Sequence, residues 1–249
     1  MNAGKCHLFV SGNKHEHMWA KIGEEKIWES KTVKLLGITI DNELKFDDHL
    51  SNVCKKAQQK LTVLTRINKY LDFNKMRLLF KTFFDSQFKY CPLTWMFYSR
   101  TTNNKINKLH ERALRLVYND YISTFEELLV KDHSFTVHHY NIQTLCIEMY
   151  KVFSGQSETI FSELFERKHI SYYLRSQPEF VIPQIKTVYK GSNSIRYFGP
   201  IIWNLIPKEI KSCETIASFS SKIRQWKPDN CPCRTCKTFL PNVGFLETN

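Results

Sequence analysis

Three cysteines crowd the end of the 249-residue chain in the run "CPCRTCK": Cys231, Cys233 and Cys236. Three thiolates this close are metal-ligand chemistry, and zinc is the ion they suit. Structural zinc takes four ligands in a tetrahedron. Cys213 is one choice for the fourth, a distant histidine the other. The C-x-C step is tighter than a C-x-x-C arm and no second pair accompanies it. An unligated, redox-sensitive cysteine tail accounts for the same residues. A second set is Lys55, Lys56, Lys60 and Arg66. On a helix these steps can follow a phosphate backbone as point charges, which gives affinity without sequence readout. A solvated helix face has the same pattern. Other chemistries leave less trace. There is no glycine-rich phosphate loop. His110, His138 and His139 fall in helical stretches without a further carboxylate–histidine pair at metal spacing, and read as structural. Trp95, Trp203 and Trp226 stand in apolar contexts and read as core.

The charge distribution favours the phosphate reading. The chain has 36 Lys and Arg against 24 Asp and Glu, a net charge of +12. Residues 45–115 hold 15 of the basic and 5 of the acidic residues, so most of the excess lies in under a third of the chain. A concentrated excess of this kind fits a polyanion, most often nucleic acid. Apolar residues make up 42%, with 18 Phe among them, which places the chain among folded proteins. Its length suits one large domain or two small ones. The other five cysteines are scattered. The beginning has no apolar core of a signal sequence, and no run of about 18 apolar residues would span a membrane. An intracellular, reducing compartment is expected, either nucleus or cytoplasm, with no membrane partner.

The elements that would position these residues follow from periodicity. Residues 1–46 read as β-rich. "CHLFVSG" is a short strand, and "WAKIGEEKIWES" a hairpin with Gly23 in its turn. "KLLGITIDNELKF" reads as one apolar strand with Gly37 inside it, then an Asp41-Asn42 turn and a second short strand. Leu36, Ile38 and Ile40 would share one face of that strand, with Leu36 and Ile38 in the core. A glycine inside a strand marks a bulge or a close backbone approach. After Phe46 the period changes to 3.6. Asp47 or Asp48 caps a helix to about residue 70, with an apolar stripe of Leu50, Val53, Ala57, Leu61, Leu64, Ile67 and Leu71. A second helix starts near Asn74 and runs on until Pro92 stops or kinks it. A third covers about 104–118, with Ile106, Leu109, Ala113 and Leu116 facing inward. Ser123 and Glu126 form a capping box. A long helix over about 136–153 ends at Gly155, and "SETIFSELF" is a short one. Beyond residue 167 the pattern is mixed. It holds extended pieces around Pro183, a helix started or kinked by Pro200, and a last amphipathic helix in "TIASFSSKIRQW". The fold class expected is α+β and mostly helical. A small antiparallel β-region (1–46) precedes a helical bundle (47–155) and a mixed C-terminal domain (156–249).

The ordered set "NAGKCHLFVSG", "KLLGITIDNELKFDDHL", "FDSQFKYCPLTWMFYSR", "KINKLHERALRLVY", "GPIIWNLIP" and "CPCRTCK" resembles the C-terminal part of reverse transcriptases of non-LTR retrotransposons. The jockey-like and chicken-repeat-like elements are the most similar, and the resemblance covers almost the whole chain. It implies a polymerase right hand of fingers, palm and thumb. "NAGKCHLFVSG" is similar to the family's motif D, which makes Lys5 its lysine, implied to assist pyrophosphate departure. "KLLGITID" is similar to motif E, the primer grip, which implies that Gly37 clears space near a primer end. The helical middle resembles the thumb, which implies that Lys55, Lys56, Lys60 and Arg66 hold template RNA and primer DNA.

The family's Tyr-x-Asp-Asp motif, which binds the catalytic metal ions, does not occur in this sequence. Two-metal phosphoryl transfer needs such carboxylates. The resemblance therefore implies a chain that starts after the active site and lacks an N-terminal polymerase region. Magnesium is expected only in a full-length enzyme, and primer extension by this chain alone is expected to be nil. Two other readings fit the residues. One is a stand-alone zinc-stabilised module that binds nucleic acid or protein. The other is a non-functional remnant.

Overall fold

A computed structural model describes residues 6–12, 18–168, 179–187, 191–228 and 235. The protein is α+β and mostly helical. It divides into two compact units, Met1–Gln87 and Phe88–Asn249. The divide falls within the stretch read from the sequence as one helical bundle.

The first unit begins with two antiparallel hairpins. Strands β1 (Trp19–Ile22) and β2 (Glu25–Trp28) pair around a turn in which Gly23 has φ +61°. Strands β3 (Thr32–Leu35) and β4 (Ile38–Asp41) form the second hairpin. The stretch read as one strand with a glycine inside it is thus two strands. Leu36 and Gly37 are the two turn residues, with φ +48° and +88°. Positive φ at both positions is the pattern of a type I′ turn, whose twist matches that of the flanking strands. Glycine adopts it without strain, whereas a leucine there is strained. Leu36, expected in the core, is 81% exposed, while Ile38 is buried as expected.

The Asp41 side chain organises the next turn. Its carboxylate accepts the backbone N–H of Glu43, Lys45 and Phe46 at 3.1, 3.0 and 2.6 Å. Helix α1 (Asp47–Ile67) follows. Neither Asp47 nor Asp48 caps it. Phe46 holds the cap position in a left-handed conformation, and the two carboxylates lie in the first turn, where the helix dipole favours them. A 3₁₀ turn (Asn68–Tyr70) leads to α2 (Phe73–Leu79), capped by the Asp72 side chain. The chain then widens into a π-helical turn (Phe80–Phe84) and a 3₁₀ turn (Asp85–Phe88), well before Pro92. Met76, Phe80, Phe84 and Phe88 are all buried. In an ideal α-helix each four-residue step overshoots a full turn by about 40°. The wider π turn takes up part of that drift.

The second unit is helical. It contains α3 (Pro92–Trp95), α4 (Arg100–Tyr118), α5 (Phe125–Asp132), α6 (Val137–Phe153) and α7 (Thr159–Ser162). After these come α8 (Ile195–Leu205), α9 (Lys208–Lys211) and α10 (Ile216–Ile223). The inner face of α4 is the expected one, with Ile106, Leu109, Ala113 and Leu116 buried. The capping box lies one residue beyond the expected place. Thr124 accepts from the Glu127 amide, and the Glu127 carboxylate accepts from the Thr124 amide. The Ser123 hydroxyl is instead donated to Asp120 at 2.9 Å. Helix α8 starts at Ser194, whose hydroxyl caps it, so Pro200 lies inside the helix and does not set its start.

Helix α6 is central to the core of this unit, packing on α3, α8 and α10. Gly199 makes the α8 contact. A Cβ there would meet Met149 Sδ and Phe165 Cε1, both at 2.8 Å. Met149 and Phe165 are themselves buried, so neither side chain has open space to retreat into. Gly199→Ala is expected to destabilise the second unit by roughly 1–3 kcal/mol through overpacking, and Gly199→Val by more. Urea unfolding of the full chain measures this, and an unchanged midpoint for the valine variant would refute the close packing.

Candidate nucleic-acid interface

The sequence places four cations on α1, and its packing decides which of them reach solvent. The helix buries His49, Leu50, Cys54, Ala57, Leu61 and Leu64, and it packs against β4 and the π-helical turn. Cys54 joins the core more completely than Val53, which is half-buried, so the stripe is shifted slightly from the one expected. Lys55, Lys56 and Arg66 are exposed, and Lys60 is half-buried at the edge of the stripe.

The four do not form one row. Lys56 and Lys60 are one turn apart on the same flank. Lys55 and Arg66 share another line, separated by three turns, or about 16 Å along the axis. Lys60 Nζ lies 4.4 Å from the ring centroid of Phe83, a cation–π contact. Burial lowers the Lys60 pKa, and the charge of Lys56 lowers it further. Farther along, Lys69 Nζ stands 4.8 Å over the ring of Tyr70, which is largely exposed. No Asp or Glu occurs between Asp48 and Asp72. The ionised side chains of the helix beyond its first turn are therefore all basic.

His49 ties this helix to β4. Its Nδ1 accepts the Thr39 backbone N–H at 3.4 Å, which requires that nitrogen to be unprotonated. Burial holds its pKa below the ordinary 6.5, and the positive charge of Lys56 pushes the same way. A depressed folded-state value means that the unfolded chain binds the proton more readily. The resulting stability is present above pH 6.5 and is lost as pH falls from there through the folded value. Unfolding midpoints of the first unit are expected to fall between pH 7.5 and 5.5, and His49→Gln is expected to flatten that slope. An equally steep slope in the variant would exclude His49 as the group responsible.

Gly37 lies at the exposed tip of the β3–β4 hairpin. The structure joins that hairpin to α1 through His49, and in this sense groups Gly37 with the helix that carries the four cations. Lys5, Cys231, Cys233 and Cys236 lie outside the described residues. Cys213 follows α9, where its carbonyl accepts the Tyr150 hydroxyl at 2.6 Å. Among the described residues no three His, Cys, Asp or Glu side chains group as metal ligands, and no helix is long and apolar enough to cross a membrane.

His110 and His138 are buried and His139 is half-buried; Trp95 and Trp203 are core residues, as expected, whereas Trp226 is half-buried. Two features were not anticipated from the sequence. The first is the Lys60–Phe83 contact, which joins residues from separate helical segments. The second is the exposure of Trp19 and Trp28. The symmetry of "WAKIGEEKIW" about its turn could have revealed that these two tryptophans face each other.

No family model matches the chain, and no curated protein or solved structure shows significant similarity to it.

Proposed function

We propose that this chain binds template RNA and primer DNA as the primer-grip and thumb portion of a non-LTR retrotransposon reverse transcriptase, without supplying the catalytic carboxylates. The observation that carries this reading is helix α1. It exposes Lys55, Lys56 and Arg66, with Lys60 half-buried beside them, along a stretch of sequence that holds no Asp or Glu. Point charges on a rigid helix suit phosphates and read no sequence. The β3–β4 hairpin, held to the first turns of α1 by His49, supports the same reading. It offers Gly37 at an exposed turn, beside the exposed Leu36, and the glycine itself places no side chain in the way of a nucleic-acid backbone. The family in this reading rests on the resemblance of the ordered sequence motifs.

The test is binding of an RNA–DNA hybrid primer–template over a range of salt concentrations. Affinity is expected to fall steeply with salt and to be indifferent to sequence. Binding that ignores salt, or that survives removal of the four cations, would overturn the assignment.

A further inference from the structure

The β1–β2 hairpin carries a surface that the phosphate-binding role of α1 does not use. Its register pairs Trp19 with Trp28 and Lys21 with Lys26. Side chains alternate along a strand, so these four residues share one face. All four are exposed, and the two indoles are 48% and 59% accessible. The other face carries Ala20, Ile22 and Ile27, which are half-buried. The aliphatic side of the hairpin is thus the more covered one, and both tryptophans lie on the more exposed side. Lys26 Nζ stands 4.4 Å from the Trp19 ring centroid. Glu25 belongs to the aliphatic face. Glu24, in the turn, makes an exposed pair with Lys21 at 3.2 Å, the kind of contact that competes weakly with a phosphate.

We infer that this face is a stacking platform for unpaired nucleotides, with Trp19 and Trp28 receiving bases and Lys21 and Lys26 receiving the adjoining phosphates. The inference rests on the nucleic-acid reading of α1 and adds a single-stranded site to it. Flat aromatic groups with a wet surface bind any base through its π-face, and cations beside them bind the linking phosphates. The charge complementarity is local. The exposed face of the two strands carries two ammonium groups, one of them paired with Glu24 in the turn. Exposed tryptophan pairs also suit a lipid interface, but the mixed face is short and has no aliphatic side chain to enter acyl chains.

The test compares labelled oligo(dT) with an abasic deoxyribose-phosphate strand of equal length, by fluorescence anisotropy on the full chain. The wild type is expected to bind oligo(dT) at least about tenfold more tightly than the abasic strand, because stacking on one base alone is worth several-fold or more. Trp19→Ala/Trp28→Ala is expected to bring that ratio close to one, whereas Trp19→Phe/Trp28→Phe is expected to keep most of it. The phenylalanine pair also covers the case in which the alanine pair loses the hairpin, which far-UV circular dichroism would show.

Neutralising the four α1 cations is expected to weaken both probes together and leave the ratio intact. A ratio near one in the wild type, or one unchanged in the alanine and phenylalanine pairs alike, overturns the platform while leaving the α1 reading standing. If neither probe binds, the platform fails, and binding of the RNA–DNA hybrid decides the α1 reading separately. Binding to phosphatidylcholine–phosphatidylserine vesicles that depends on Trp19 and Trp28, with no base preference among the oligonucleotides, would assign the face to lipid and overturn the proposal.

Discussion

Replacing Lys55, Lys56, Lys60 and Arg66 together with glutamine should remove most of the salt dependence of primer–template binding. Each phosphate neutralised on a duplex adds about 0.9 to the slope of log affinity against log salt. Four contacts give a slope of roughly −3.6, so raising salt from about 50 to 200 mM should weaken the wild type roughly a hundredfold. In the variant that share of the slope is absent, and the affinity at low salt falls by a comparable factor. The substitution suits the helix, because glutamine and lysine have similar helix propensities. The sites lie outside the buried stripe, so the fold should persist. Lys60 is the one with a second role, through its contact with Phe83. Restoring lysine at position 60 alone would separate that contact from the charge count. Anisotropy titrations at several salt concentrations measure the slope. A variant that keeps the wild-type slope would place the binding surface elsewhere.

Trp203→Ala should destabilise the second unit by about 3–5 kcal/mol, the range for removing a large buried aromatic side chain. Trp203 is wholly buried. Its ring centroid lies 5.3, 5.9 and 6.1 Å from those of Phe153, Phe180 and Phe219. These come from α6, from the extended piece after residue 179, and from α10, so one side chain holds three parts of the chain together. Its indole N–H is donated to the Glu179 carboxylate. The same carboxylate is 3.6 Å from Lys211 Nζ, which also stands over the Trp203 ring at 5.2 Å. Burial lowers the Lys211 pKa, and Glu179 partly offsets the shift. Alanine would leave a cavity and a partly buried ion pair without its covering ring. Phenylalanine should cost less, since most of the ring volume remains and mainly the N–H donor is lost. Guanidinium unfolding with near-UV circular dichroism measures both. A loss under about 1 kcal/mol for alanine would show that the site collapses around the gap.

The features legible in the sequence are those with short-range causes. The stripes of α1, α4 and α10 repeat within a few residues, and so does the signal at Gly155, whose φ of +72° ends α6. The cations of α1 could be placed off its stripe for the same reason. Errors arose where two local solutions competed. Ser123 and Thr124 both suit a cap, and the choice was made by Asp120, whose carboxylate takes the Ser123 hydroxyl and amide. Asp47 and Asp48 both suit the start of α1, but the Leu50 amide donates to the Phe46 carbonyl, so the helix begins earlier and Phe46 takes the cap position. Gly37 fits a strand interior or a hairpin turn equally well. The pairing of Leu35 with Ile38 selected the turn, and so placed Leu36 in solvent.

From its sequence alone the protein is a mostly helical α+β chain with a basic stretch over residues 45–115, because composition and the hydrophobic period are properties of neighbouring residues. Tertiary structure decided which side of each element is used. It left Trp19 and Trp28 on the exposed side of their hairpin and half-buried Ala20, Ile22 and Ile27 on the other. It set His49 against Thr39. It also joined α6 to the far end of the chain, where the Gln143 side chain donates to the Trp226 carbonyl at 2.8 Å, 83 residues away. Contacts at that separation depend on loop closure and on the packing of whole faces, and no local pattern of residue types encodes them.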